Sequence, residues 1–417
     1  MRNARDTLRH DARSDDGRVR VGIVCDLTEE QWPSMNLVAD MLVHYLNAEQ
    51  PAIDAVPLRP AATRRLTRLP LVGGAPVSWR TDRMASRFWD YPRWLSMHRG
   101  TFDVFHVVDH SYAHLVHVLP ADRTVVTCHD VDAFLSLVAP AQTTSRLPKR
   151  LSQRILSGFQ KAGHITCDSM ATFEALRNFD LAPADRLSVV HNGVHPGFSP
   201  LRDEEADRVI DALIGPPGDL HLLHVGSTIP RKRIDLLLQI SAAVLHNVSN
   251  ARLLKAGGTF TAEQRRLIRT LGIEHRVHTV PFLDVRRLAA LYRRADLVVL
   301  TSSSEGFGLP VIEAMACGTP VVATDLPVLR EVGGRAAAYG PLGDIGRWTT
   351  AILDLLGEGR DPLRRGSRRR ACLDQAARFS WSRYAAAMST IYQRLGEGRH
   401  LTAEGKPRRL DEATVAS

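Results

Sequence analysis

The amino-acid sequence predicts an α/β protein made of two doubly wound domains, each a parallel sheet covered by helices on both faces. Three observations predict it. From about residue 19 to residue 395, short apolar runs alternate with stretches of helical period, the pattern of strands buried on both faces and linked by crossover helices. The alternation is broken by Asn192-Gly193 and the Pro/Gly-rich run His195-Pro-Gly-Phe-Ser-Pro200, a turn signal that splits it into two similar series and places the interdomain crossing at about 192–200. At 417 residues the chain has room for two or three domains that each bury a core.

In the first series, Arg20–Cys25 reads as a strand, followed by a helix from about Ser34, its expected N-cap, to Ala48. Strands are expected near 53–58, 104–108, 124–128, 164–167 and 187–191, with helices near 84–97, 147–161 and 170–178. The second series runs strand 220–225, helix 231–247, strand 252–256, helix 261–271, strand 277–280, helix 285–294 and strand 296–301. A helix from Pro310, a strand at 320–323, helices near 344–357 and 362–377, and a last helix opened by Ser380 complete it. The domains are placed at 19–193 and 197–378, with 380–396 a final helix, and the polar, aperiodic ends 1–18 and 397–417 are expected to be disordered tails.

Composition narrows the function classes. The five cysteines at 25, 128, 167, 317 and 372 are scattered and odd in number, which fits free thiols in a reducing compartment rather than a disulfide frame or a zinc site. The first seventeen residues hold no apolar segment of signal-peptide type, and no apolar run is long enough to span a bilayer, so a cytoplasmic protein is expected. The net charge of +9 comes almost wholly from arginine, because only Lys149, Lys161, Lys232, Lys255 and Lys406 are lysines. Nine arginines against Asp82 and Asp90 crowd 59–99, interleaved with Trp79, Phe88, Trp89, Tyr91 and Trp94. Segment 79–99 suits an anionic membrane surface or a phosphorylated acceptor; the plainer reading is an amphipathic helix with one face in water. No recognition motif for nucleic acid is present, and aromatics at 6% offer few stacking platforms.

The chemistry concentrates in the second series. After the apolar run Ala295–Thr301 comes Ser302-Ser-Ser-Glu305-Gly306-Phe307-Gly308-Leu309-Pro310-Val-Ile-Glu313, in the order strand, flexible loop, helix. Gly306 and Gly308 let the backbone approach a ligand, and the free amides at the helix start favour an anion. Glu305 is expected at the loop's mouth and Glu313 in the first helical turn, both facing one molecule that carries hydroxyls and phosphate. Earlier, Gly226-Ser-Thr-Ile-Pro230-Arg231-Lys232-Arg233 follows another strand. Three cations in a first helical turn oppose the macrodipole, so an anion such as a diphosphate is expected to compensate them.

This run, continued by Gly318-Thr-Pro320-Val-Val-Ala323 and a second loop, resembles the donor-site signature of retaining nucleotide-sugar glycosyltransferases of the GT-B fold, family 4. The resemblance covers about 19–395 and is strongest over 220–335. It implies two Rossmann-like domains facing across a cleft, with helix 380–396 crossing back to the first, the acceptor-side domain. It implies a donor, GDP- or UDP-linked, that is a substrate rather than a cofactor, and a saccharide or lipid-linked acceptor, as in polysaccharide or glycolipid biosynthesis. Glu313 would bind the ribose hydroxyls and Glu305 the sugar near its reacting carbon. Gly226, Arg231, Lys232 and the backbone of Gly306, Phe307, Gly308 and Leu309 would hold the departing diphosphate, whose own oxygen serves as base. Where many members have arginine directly after the glycine, this chain has Ser227, with Arg231 available instead.

From the first series the resemblance points to His129 as a contact of the donor sugar. Asp109 and His110 are weaker acceptor candidates, and Glu29-Glu30-Gln31-Trp32-Pro33-Ser34 stands where many members have a glycine-rich loop. Asp130-Val-Asp132 has the Asp-x-Asp spacing that holds a divalent metal in another glycosyltransferase fold; the plainer reading is a helix N-cap before Ala133, and no metal is expected. The rivals are a nucleotide-sugar epimerase on the same fold and a basic nucleic-acid-binding protein.

Overall fold

The computed structural model describes residues 17–30, 33–68, 76–132, 134, 146–215 and 218–401. Most of the expected tail at 1–18, the part of the other tail beyond Leu401, and Ala133, where Asp130-Val-Asp132 was to cap a helix, lie outside these residues. The chain divides into two compact units: the first takes 17–167, 173–190 and the stretch from Ser382, the second 168–172 and 191–381.

The first unit holds β1 (Val19–Val24), β2 (Ile53–Leu58), β3 (Val104–Val107), β4 (Thr124–Cys128), β5 (His164–Cys167) and β6 (Leu187–Val189) in the spatial order β2-β1-β3-β4-β5-β6. Every pairing is parallel, with Val21 beside both Ala55 and Val104. Around it run α1 (Pro33–Glu49), α2 (Pro76–Ala85), α3 (Tyr91–Ser96), α4 (Arg146–Lys161) and α5 (Met170–Asn178). Helix α1 begins at Pro33, so Ser34 is its second residue and not its cap, in line with the preference for proline in a first turn. Between α2 and α3 the chain stays helical through a π turn at Ser86–Asp90, where the periodicity alone suggested one helix.

The second unit follows the same plan: α6 (Glu204–Ile214), β7 (Leu220–Val225), α7 (Ile234–Asn247), β8 (Ala251–Ala256), α8 (Ala262–Thr270), β9 (Val277–Val280), α9 (Val285–Arg294), β10 (Leu297–Leu300), α10 (Leu309–Ala316), β11 (Val321–Thr324), α11 (Pro327–Gly333), β12 (Ala338–Gly340), α12 (Ile345–Glu358) and α13 (Pro362–Ala376). The last helix, α14 (Trp381–Leu401), begins in this unit and runs on in the first. The strand order is β12-β11-β10-β7-β8-β9, all parallel. Leu222, Leu253, Leu297 and Val299 enter one core, while Leu223, Leu254, Val298 and Leu300 enter the other; two-residue alternation with both faces buried is why these strands read as unbroken apolar runs. Helix α6, absent from the sequence reading, is capped by Asp203, whose carboxylate accepts from the Ala206 amide, and carries Glu204, Glu205 and Asp207 in its first turn, where acidic side chains suit the dipole.

In each sheet the connections leave in opposite directions from one adjacent pair of strands, β1 and β3 in the first and β7 and β10 in the second. The carboxyl ends of such a pair open a crevice. No described helix is long and apolar enough to cross a membrane.

Candidate active site

The loops after β7 and β10 meet at the second sheet's switch point. Pro230–Lys232 forms a short 3-10 turn, Arg233 takes a left-handed conformation (φ 47°), and α7 starts only at Ile234. The three cations therefore precede the helix instead of occupying its first turn, and the dipole conflict expected from sequence does not arise. The Ser303 amide donates to the Arg231 carbonyl at 2.7 Å, and the Thr301 hydroxyl donates to the Lys232 and Arg233 carbonyls at 3.0 and 3.2 Å. These bonds tie the loops into one surface.

Inside it, Glu305 is the anion that compensates the cations. Lys232 Nζ donates to Oε1 at 2.5 Å, Arg231 Nη1 to Oε2 at 2.9 Å, and the Ser302 hydroxyl to Oε1 at 2.6 Å. The Glu305 side chain is only 6% exposed, so it is enclosed and not at the loop's mouth. Burial would raise its pKa, but Lys232 and Arg231 outweigh burial and hold the carboxyl below its ordinary value. The result is a preorganised ion triad.

Gly226 lies against this triad: a Cβ there would come 3.1 Å from His224 Nε2 and 3.7 Å from Lys232 Cδ. Its carbonyl accepts from Lys255 Nζ at 3.2 Å, and the same ammonium donates to the Gly257 and Gly258 carbonyls at 3.1 and 2.8 Å. Lys255 is fully buried, and burial lowers its pKa to about 8. Sequence reasoning missed it because a lysine inside an apolar strand shows its carbonyl cage only in three dimensions. His224, buried beside it, bonds Val299 O through Nδ1, and burial pushes it down to about 4.

After Glu305 the chain turns through Gly306, whose carbonyl accepts from the Ser169 hydroxyl at 2.9 Å. Phe307 is a core side chain, packed edge-on against Phe379, so only its backbone is available to a ligand. Gly308 has φ 94°, and a Cβ would strike Leu329 at 2.7 Å; any other residue would strain the turn and displace the start of α10. Leu309 is the first residue of α10 and Pro310 the second, and the first amides of a helix have no intrahelical partner. Glu313, the fifth residue, lies in the second turn, not the first. Its Oε2 accepts from the Tyr292 hydroxyl at 2.8 Å. Burial pushes Glu313 up to about 7, against the pull of Tyr292 and Lys232. Glu331 was also assigned no role from sequence: it accepts from the Met170 amide at 2.8 Å and from His191 Nε2 at 2.5 Å.

In the first unit, the segments after β1, β3 and β4 assemble a second polar cluster. His129 is buried with Nε2 bonded to Val108 O at 2.8 Å. Its ring lies 6.4 Å from that of His110, which faces Asp109 at 3.5 Å and Asp130 at 3.7 Å. Asp109 caps the 3-10 segment His110–Val118 by accepting from the Ser111 amide. Asp130 accepts from the Asp132 amide at 3.1 Å, a local turn, and no described group of three or more metal-ligating side chains includes either residue. Asp26, unnoticed in the sequence, is 5% exposed and its Oδ2 has no hydrogen-bond partner. Burial, reinforced by the Asp109 charge, raises its pKa well above the carboxylate range.

The arginine-rich segment is less free than its composition suggests. Arg87 and Arg83 face the Glu30 carboxylate at 3.3 and 3.9 Å, with Glu30 only 2% exposed, and Arg65 pairs with Asp90 at 2.6 Å. Arg80, Arg93 and Arg99 are exposed, as are Val77, Trp79, Trp89 and Met97.

Two Rossmann-like parallel sheets with phosphate-type loops at a switch point define a class, the GT-B glycosyltransferase fold, and comparison with known proteins agrees. The family described as Glycosyl transferases group 1 matches residues 210–356, and Glycosyltransferase Family 4 matches 41–198. The two matches together identify both series of the chain as glycosyltransferase-like. It is 37% identical over 233 residues to D-inositol 3-phosphate glycosyltransferase 2 of Catenulispora acidiphila, a match covering 53% of each chain. It is 36% identical over 223 residues to the D-inositol 3-phosphate glycosyltransferase of Mycolicibacterium smegmatis, covering 51% of this chain and 48% of that one. The chain thus spans about half the length of these relatives. Sucrose-phosphate synthase from Thermosynechococcus elongatus shares the fold with a TM-score of 0.69 at 20% identity, over 91% of this chain and 100% of that one. Anabaena HepE, solved with UDP-glucose, does so with a TM-score of 0.64 at 15% identity, over 92% and 100%.

Proposed function

We propose that this protein transfers a hexose, with retention of anomeric configuration, from a nucleoside diphosphate sugar to a hydroxyl acceptor. The observation that carries the reading is the triad of Arg231, Lys232 and Glu305 beside the first amides of α10. Cations and amides that converge at a switch point stabilise a leaving diphosphate electrostatically, and Glu313 in the same helix offers a carboxyl to ribose hydroxyls. With those groups in place the departing charge needs no metal. Relatives named for inositol 3-phosphate favour a small phosphorylated polyol as acceptor; the exposed Trp79, Trp89, Arg80 and Arg93 favour a lipid-linked acceptor at an anionic membrane.

A thermal-shift panel of GDP- and UDP-sugars tests the donor, since a ligand at about 100 times its Kd stabilises by about 2.7 kcal/mol. Turnover of the stabilising donor with inositol 3-phosphate or a polyprenyl-linked sugar, in EDTA, tests the rest. No shift with any nucleotide sugar refutes the proposal; activity lost in EDTA and restored by magnesium or manganese refutes metal independence.

A further inference from the structure

At the other, amino end of the second sheet lies a cavity of about 750 Å³. Leu220 at the start of β7, Asp296 just before β10 and Pro320 just before β11 border it. Six residues of strand put it about 20 Å from the loops after β7, so it is separate from the candidate active site.

Its lining is strongly basic. Three of its arginines are engaged: Arg293 with Asp207 at 2.7 Å, Arg294 with Asp211 at 2.9 Å and Arg368 with Glu358 at 2.9 Å. Four more, Arg202, Arg360, Arg365 and Arg369, line it with no side-chain ion pair among the described residues. The remaining carboxylate, Asp296, accepts from the His221 amide at 2.7 Å and senses Arg294 and Arg365. Arg369 is held in place by shape and by donating from Nη2 to the Pro200 carbonyl at 3.5 Å. It lies across Gly318 (φ 81°), where a Cβ would come within 2.7 Å of its Nε. Cys317 and Gly318 follow α10 directly, so this cavity and the candidate phosphate amides stand at the two ends of one helix.

Uncompensated guanidinium forks converging on a concave surface match phosphate oxygens in charge and geometry, and the volume falls in the range of about 300–1,000 Å³ used for small ligands. We propose that this cavity is a second ligand site, which takes a phosphorylated small molecule through Arg202, Arg360, Arg365 and Arg369.

Hydrogen-exchange mass spectrometry with inorganic pyrophosphate tests it, because protection at 317–320 and 359–369 is read apart from protection at the donor loops. The wild-type protein is expected to be protected there, and the Arg365→Ala/Arg369→Ala protein to need at least tenfold more pyrophosphate. Arg364→Ala/Arg370→Ala removes the same charge from the same helix outside the cavity lining and is expected to behave as wild type. Both pairs are exposed, and circular dichroism confirms folding. Absence of protection in the wild type, or equal weakening in both double variants, overturns the proposal. So does protection by phosphatidylglycerol vesicles without protection by pyrophosphate, which would make the patch a lipid surface.

Discussion

Glu305 and Asp26 are both carboxylates shortly after a switch-point strand, one in each sheet, and both are enclosed, yet their surroundings drive them in opposite directions. Glu305 meets Lys232, Arg231 and Ser302 within 2.9 Å and ionises more readily than a free glutamate. Asp26 is left with one orphan oxygen, and the cation that most favours its ionised form, Arg87, is bound to Glu30 and Ser111. The sign of each contribution to stability follows. The folded state binds fewer protons at Glu305 than the unfolded chain does, so Glu305 stabilises above the ordinary glutamate pKa and the gain fades as pH falls. At Asp26 the folded state keeps a proton that the unfolded chain releases, so stability fades as pH rises above about 4. The second sheet's site therefore fixes its carboxylate between two cations and keeps a net positive charge for a ligand, whereas the first sheet's cluster holds an unmatched acid.

The largest expected effect is at the triad. Glu305→Gln keeps the shape and deletes the charge; kcat is expected to fall about 100-fold, on the order of 3 kcal/mol, in steady-state assays on protein shown folded by circular dichroism. A wild-type kcat would reduce Glu305 to a counter-ion. Next comes Lys232→Ala, expected to weaken calorimetric binding of the nucleoside diphosphate by about 2–3 kcal/mol. Arg231→Ala should lose less, because the Arg231 side chain is 36% exposed against 11% for Lys232; equal losses would show that the two cations act as one unit.

Asp26→Asn sharpens the other side of the comparison. Wild-type melting temperature is expected to decline between pH 5 and 8 partly through Asp26, and the Asn variant to show a shallower decline and a melting point higher by a few degrees at pH 8. An unchanged slope would mean that Asp26 has found a partner in solution. The smallest effect is at the surface: replacing Arg80, Arg93 and Arg99 with alanine should weaken flotation with anionic liposomes by about 1 kcal/mol per residue, while Arg83→Ala should act through stability, since Arg83 faces Glu30.

Much of this molecule was legible one residue at a time. Strands such as Leu297–Leu300 lie in apolar runs because both of their faces are buried, and Gly308 and Pro310 mark the turn into α10 by backbone chemistry alone. Local patterns also placed Glu305 on the loop after β10 and Glu313 in the helix that follows, one turn too early, and put Arg231 and Lys232 just after β7, in a helical turn where the structure has a 3-10 turn before the helix. The segment 79–99 was less legible: counting charges gave nine arginines against two aspartates over 59–99, but Glu30 lies far away in sequence and engages two of them.

By itself, then, the sequence determined the α/β class, the two series of strands, the strand-loop-helix order around Glu305 and the family that its motifs resemble, because these depend on neighbours a few residues apart. The tertiary structure alone decided that Glu305 pairs with Arg231 and Lys232 across more than 70 residues of chain, that Lys255 is caged by three carbonyls, that Asp26 is stranded beside Asp109 and that four arginines line a cavity without an ion-pair partner among the described residues. The physical reason is that a charge takes its meaning from the dielectric and the counter-charges around it, and those are set by which strands the fold makes adjacent.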